Sequence, residues 1–243
     1  MATVFEISGP LAFYRKPYTT TSSTSFPLPP PTAIAGLLAG ILGISNGCNE
    51  EAIASNYWNY LSHTRIAIQR LNFGAWYSTT INFRNTKDPQ KNIHLRIKHQ
   101  FVKNPHYRIF VQGGIEEDLN SRLVSRKFHY TPTLGTAYAL AEIVYCGSFD
   151  FDSHLISNEE EIEIQSAIPV SENADMTINF IKTQGLMKDS FPFCMDSKRT
   201  ILETIHLLYP SNPNKGIFLT PWEGLDVTFY DDHTYIAWLP AWR

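Results

Sequence analysis

Cysteine is scarce in this chain. Cys48, Cys146 and Cys194 are the only three in 243 residues, and no two form a CxxC pair. An odd, scattered set rules out a disulfide framework and reads as reduced thiols in a cytoplasmic protein. Long hydrophobic runs are also missing: the longest, Ala33 to Ile44, has 12 residues, too few to span a bilayer, so no membrane partner is expected. The N-terminus lacks the basic start and long apolar stretch of a signal peptide. Gly36, Gly40 and Gly43 lack the G-x-x-x-x-G-K-[ST] pattern of a phosphate loop and read as helix packing residues. No G-x-S-x-G occurs, Cys48 has no evident histidine partner, and Glu159-Glu160-Glu161 reads as a solvated turn. His94 and His99 lack Cys or acid partners at metal spacing, so neither a zinc site nor any other cofactor is expected.

What is present is charge, unevenly spread. The formal net charge is −3, which argues against a nucleic-acid binder until it is mapped along the chain. Residues 1–113 carry 11 Lys/Arg against 4 Asp/Glu, an excess of +7, and residues 114–243 carry 9 against 19, an excess of −10. Seven cations fall within 84–108: Arg84, Lys87, Lys91, Arg96, Lys98, Lys103 and Arg108. Asp88 is the lone acid there, and His94, His99 and His106 are interleaved. A local basic stripe is the electrostatic footprint of nucleic-acid binding. Such a run is about as often a plain solvated face, so charge alone does not decide.

Hydrophobic residues at 43% and aromatics at 13% mark a globular chain with a sizeable core. Thr3–Ser8 reads as a strand, Leu11–Thr24 as a loop, Thr32–Ile44 as an apolar helix ended by Gly43, and Asn49–Leu61 as a second short helix. Arg65–Asn72 follows as a strand. Tyr77–Phe83 and Ile93–Phe101 read as a hairpin with cationic arms, turning at Asn85-Thr86-Lys87-Asp88-Pro89. Tyr107–Gln112 is a strand and Ile115–Arg126 a helix with acids in its first turn. Strand, helix, strand, strand, helix, strand is the order of a ferredoxin-like (RRM-like) half. Seven further strands are expected after Gly135: 139–145, 161–169, 176–182, 204–209, 216–220, 227–230 and 235–239. The fold class is therefore α+β. Residues 1–130 form the RRM-like domain with a basic β-hairpin thumb at about 77–103, and residues 131–243 a mainly β region packed on it. The RNP1 signature of ordinary RRMs is absent.

Residues 25–43 are the most informative stretch. Pro29, Pro30 and Pro31 hold the backbone extended, and Thr32 then offers a hydroxyl to the first free N–H groups of a helix. That helix N-terminus is a candidate anion site. The run from Phe26 to Leu38, preceded by a first strand ending in Gly9-Pro10 and a basic-aromatic loop, resembles the start of the fifth CRISPR-associated (Cas) protein family, within the RAMP superfamily. Asn85-Thr86-Lys87-Asp88-Pro89, Lys103-Asn104-Pro105-His106-Tyr107-Arg108-Ile109-Phe110-Val111 and Tyr130-Thr131-Pro132-Thr133-Leu134-Gly135-Thr136-Ala137 follow in the family's order, over roughly the first 145 residues.

The resemblance implies a non-catalytic subunit of a type I Cascade, of type I-B-like character, that caps the 5′ handle of the crRNA. Its partners would be that handle, the backbone subunit and the large subunit, with target DNA met only through the complex. The candidate RNA grip has three parts. Tyr14, Arg15, Lys16 and Tyr18 form a loop near the helix N-terminus and Thr32. Arg84, Lys87, Lys91, His94, Arg96, Lys98 and Lys103 form the thumb, which in the family displaces a base at the handle–spacer junction. Tyr107 and Arg108 lie at its base, with Arg65 and Arg70 on a neighbouring strand. Splayed single-stranded RNA is the expected ligand. The alternative is a metal-independent endoribonuclease on repeat RNA using Lys98 and His99, although neighbours on a strand face opposite ways. A pure protein scaffold is the third reading. Trp222, Trp238 and Trp242 are candidate interface residues, more often core.

Overall fold

The computed structural model describes residues 1–19, 22–47, 55–72, 74–86, 90, 93–151, 160–170, 177–222, 224–231 and 234–243. The first half runs β1 (Ala2–Ser8), β2 (Leu11–Ala12), β3 (Ser22–Thr24), α1 (Pro31–Leu42), α2 (Tyr57–Tyr60), β4 (Arg65–Arg70), β5 (Ala75–Arg84), β6 (His94–Lys103), β7 (His106–Gln112) and α3 (Glu116–Ser125). Then come β8 (Glu142–Phe149), β9 (Ile162–Ile164), β10 (Ile168–Pro169), β11 (Thr177–Ile178) and β12 (Leu186–Met195). The chain closes with β13 (Ile201–Pro210), β14 (Ile217–Thr220), β15 (Val227–Asp231) and β16 (Thr234–Ala237). The architecture is α+β and mostly sheet.

The proline strap sets where α1 begins. Pro31 takes its first helical position, where the missing N–H costs nothing, and Pro30 is the N-cap. Thr32 therefore lies inside the helix and makes no side-chain cap, which corrects its expected capping role. Ala33 and Ile34 both donate to the Pro30 carbonyl, so the first turn uses its own donors. Gly43, at φ 81°, closes the helix in a left-handed turn, as a glycine C-cap does.

The first sheet has the antiparallel order β4-β7-β1-β8. Its last strand lies past residue 130. Pleating turns Phe5, Ile7, Tyr107, Ile109 and Val111 to one face, where they join Ile34, Leu38 and Ile41 of α1 and Leu119 and Leu123 of α3 in the main core. Phe191, Phe193, Tyr209, Leu239 and Trp242 from the far end of the chain enter the same core. The opposite face, with Val4, Ala67 and Phe110, is covered by Ile236 and Trp238. Trp238 and Trp242 are 2% and 1% exposed, so they are core and not an interface edge. Three other sheets complete the fold: β10-β13-β12, β11-β14-β9-β16-β15, and β2-β6-β3 with β5 added on β6.

Several elements differ from the sequence-based expectation: the expected loop Leu11–Thr24 carries the short strands β2 and β3, and the expected strand 161–169 is divided into β9 and β10 in separate sheets. The second helix is confined to Tyr57–Tyr60 among the described residues, and positions 49–54 of its expected span lie outside them. The strand β12 was not expected, because Pro192 and the polar Lys188-Asp189-Ser190 interrupt any simple pattern. It pairs with β13 over its whole length, and register shifts between Pro192 and Met195 absorb the proline.

Gly135 ties the 130–137 stretch to the first loop. It sits at φ 87°, and a Cβ there would lie 2.3 Å from the Phe13 carbonyl oxygen. Gly36, inside α1, faces open space. Gly135→Ala is expected to destabilise the fold by about 2 kcal/mol or more. Gly36→Ala should stabilise it by about 0.5–1 kcal/mol, since alanine suits a helix interior better. Urea midpoints of the two variants check both signs.

Candidate nucleic-acid interface

The pairing of β5 with β6 runs unbroken from Ala75 opposite Lys103 to Arg84 opposite His94. Side chains alternate across a strand, so each arm gives every second residue to each face. One face carries the cross-strand rungs Arg84–His94, Asn82–Arg96, Thr80–Lys98, Ser78–Gln100 and Trp76–Val102. The other carries Phe83–Leu95, Ile81–Ile97, Thr79–His99 and Tyr77–Phe101. The hairpin is thus amphipathic: Arg84, His94, Arg96 and Lys98 are all exposed on one side. Three of the thumb cations, Arg84, Arg96 and Lys98, share that side with His94. Lys103 belongs by alternation to the opposite one, and Lys87 and Lys91 lie outside the described residues.

His99 is 5% exposed and sits among rings, 4.9 Å from Phe13, 5.5 Å from Phe83 and 5.9 Å from Phe101 by centroids. Its Nδ1 lies 3.1 Å from the Ile97 carbonyl oxygen. The exposed Lys98 points away from it, so the two do not converge on one phosphate.

The N-terminal loop is partly consumed by the fold. Tyr18 is 67% exposed and Arg15 is exposed, and Arg15 and Thr32 line the same cavity beside the start of α1. Lys16 instead pairs with Asp189 at 3.1 Å and lies 5.0 Å over the Phe26 ring. Tyr14 is buried against Tyr107, their centroids 6.4 Å apart, and burial holds its phenol well above the ordinary range. Tyr107 is buried too, pushed up in the same way, and donates to the Pro27 carbonyl at 2.7 Å. Both rings are packed into the interior, which corrects the expected placement of Tyr14 and Tyr107 in an open RNA grip.

The remaining arginines are also held inside the protein. Arg65 donates through Nε and Nη2 to Gln112, pairs with Asp226, and lies 4.8 Å over Trp238. Arg70 donates to the carbonyls of Pro210, at 2.9 Å, and Ser211, and burial lowers its proton affinity. Arg108 pairs with Glu6 at 2.7 Å and lies 5.4 Å from the centre of the Tyr230 ring. These three are structural anchors, a second correction to the expected grip. Sequence reasoning missed Trp76, Ser78, Thr80, Asn82 and Gln100, which the alternation of an aligned hairpin places on the cationic face. Among the described residues no cluster of His, Cys, Asp and Glu is placed to hold a metal, and no helix is long and apolar enough to cross a membrane.

The hairpin thus presents an exposed cationic strand face beside a covered sheet. Residues 3–150 match the family model described as CRISPR-associated protein (Cas_Cas5), and the chain belongs to that family. No curated protein matches the sequence. Among solved structures, a chain of a "CRISPR RNA-guided surveillance complex" is similar at TM-score 0.56 and 12% identity, covering 87% of this chain and 90% of that one. A CRISPR protein from Archaeoglobus fulgidus is similar at TM-score 0.55 and 11% identity over 98% of both chains. A chain of the Type III-B Cmr-beta complex bound to cognate target RNA and AMPPnP reaches TM-score 0.52 at 13% identity, over 89% and 86%. At these identities the likeness is one of fold.

Glu6 gives the covered face a pH signature. Burial raises its pKa, but hydrogen bonds from Arg108 and His106 outweigh that and hold it below its ordinary 4.5. A carboxylate with a depressed folded-state pKa adds stability that is present above the unfolded value and lost as pH falls through the folded one. Wild-type denaturation midpoints should therefore fall as pH drops below 4.5. Glu6→Gln should lower the midpoint at pH 7 and flatten that acid limb; an unchanged limb would remove Glu6 from the account.

Proposed function

We propose that this protein is a non-catalytic subunit of a type I Cascade, type I-B-like, which holds the 5′ handle of the crRNA along the cationic face of the β5–β6 hairpin. That free cationic face is the observation that carries the reading. Family membership and the fold likeness to subunits of RNA-guided complexes support it. We read the β4-β7-β1-β8 order with α1 and α3 as the ferredoxin-like half, and the later strands as a second domain packed on it. An RRM-like sheet would ordinarily offer its open face to RNA. Here Trp238, Ile236 and the Glu6–Arg108 pair occupy that face, which leaves the hairpin as the available grip.

Backbone and large subunits of the assembly are the proposed protein partners, and target DNA is met through the complex. The separation of exposed Lys98 from buried His99 favours binding over cleavage.

A salt titration tests the reading. The full chain is incubated with labelled single-stranded repeat RNA in EDTA, with both mobility shift and cleavage scored. The logarithm of the affinity should fall linearly with the logarithm of salt, and alanine at Arg84, Arg96 or Lys98 should each reduce that slope by about 0.7. Arg65→Ala, which removes an internal anchor, should lower stability and leave the slope as it was. Equal slopes for wild type and the hairpin variants would take the hairpin out of the grip, and cleaved product would favour the nuclease reading.

A further inference from the structure

The cationic face ends on a cavity. On that face, Trp76 and Val102 form the rung nearest the hairpin root. The same two residues line an enclosure of about 380 Å³ together with Arg70, Tyr107, Met187 and Tyr209. That is the size range of small-ligand sites. The hydroxyls of Tyr107 and Tyr209 are engaged with Pro27 and Asp189, and the Arg70 guanidinium lies 6.0 Å over the Tyr209 ring. Trp76 is 50% exposed and belongs to no hydrophobic cluster of the fold, and Met187 is 46% exposed.

Along this face the charge runs out where the aromatic surface begins. The outer rungs carry Arg84, Arg96 and Lys98; the inner ones, Ser78–Gln100 and Trp76–Val102, carry none. Proteins that hold single strands combine a phosphate-tracking cationic groove with rings on which bases stack. We infer that the cavity takes one unstacked nucleobase of the strand that follows the ladder, with Trp76 as its stacking surface and the Arg70 guanidinium as part of the wall. The inference rests on the RNA-binding reading above and adds where a base is held. A cavity that is apolar, flanked by a half-exposed indole and continuous with a phosphate track suits a flat neutral ring better than a charged group.

An abasic scan tests it. Labelled repeat RNAs, each with one base removed, are titrated against the full chain by fluorescence anisotropy. One position should lose roughly ten-fold in affinity on base removal, the effect of a single lost stacking contact. In Trp76→Ala that position-specific loss should vanish while the salt slope is kept. Met187→Trp narrows the cavity without touching Trp76, and covers the case in which Trp76→Ala does not fold. It should weaken intact RNA but not RNA abasic at the sensitive position. A flat abasic profile with intact RNA still bound overturns the base site and leaves the RNA-binding reading standing, as expected if the cavity takes an apolar side chain of a protein partner. A sensitive position that neither variant alters overturns it as well. No binding of intact RNA at any salt would overturn the RNA-binding reading itself, and this inference with it.

Discussion

Alternation along β6 is the constraint on which the rest depends. His99 and Phe101 are packed beside Phe13, which fixes one face of the strand against the body. The pleat then sends Lys98, Arg96 and His94 to the other side. A slip of one residue would exchange the two faces, burying lysine and exposing phenylalanine, so the register is strongly specified. Hydrophobic packing at the root thereby decides where the positive charge stands. It also splits Lys98 from His99, the pair that a metal-free cleavage reading would need together.

Most of the described cations of the first half fall into two populations. Lys16, Arg65 and Arg70 reach across to Asp189, Asp226 and the Pro210 and Ser211 carbonyls, fastening the first half to the second. Arg108 fastens β7 to β1 through Glu6. Arg84, Arg96 and Lys98 of the hairpin make up the other population and stand outward. Part of the opposite charge of the two halves is therefore an internal bond. Lys16 and Asp189 are each about one-fifth exposed, so that pair is less screened than a surface one.

The parts of the fold legible in the sequence were those whose local signal matched the tertiary outcome. The proline strap and the apolar run after it gave α1 nearly to the residue, because a fixed φ and a glycine C-cap act locally. The hairpin arms were legible from their β-rich composition and the polar turn between them. Tyr14, Tyr107, Arg65, Arg70 and Arg108 were not, since an aromatic or cationic side chain looks the same in sequence whether it faces solvent or is claimed by a partner a hundred residues away. The strand β12 was hidden by Pro192, whose cost is absorbed by a bulge that only the pairing with β13 reveals. Trp76 is the instructive case. Its place on the cationic face follows from period two once the register is fixed, but its cavity is built with Met187 and Tyr209, which no local pattern brings near.

A net charge of −3 and an RNA grip are compatible for a reason of distance. Strands rise about 3.3 Å per residue, so ten rungs reach some 30 Å. Ile93, Phe83 and Leu95 at the outer end are 58%, 39% and 47% exposed. Apolar side chains that open to solvent there mean that this end of the hairpin leaves the body of the protein. Screening in physiological salt acts over about 8 Å, so acids several such lengths away contribute little to the field felt by a phosphate at Arg84 or Arg96. The average charge then bears on solubility and on non-specific contacts of the body. The outward reach of the hairpin, set by how far its apolar face stays anchored, determines whether the local field is the one that an oligonucleotide meets.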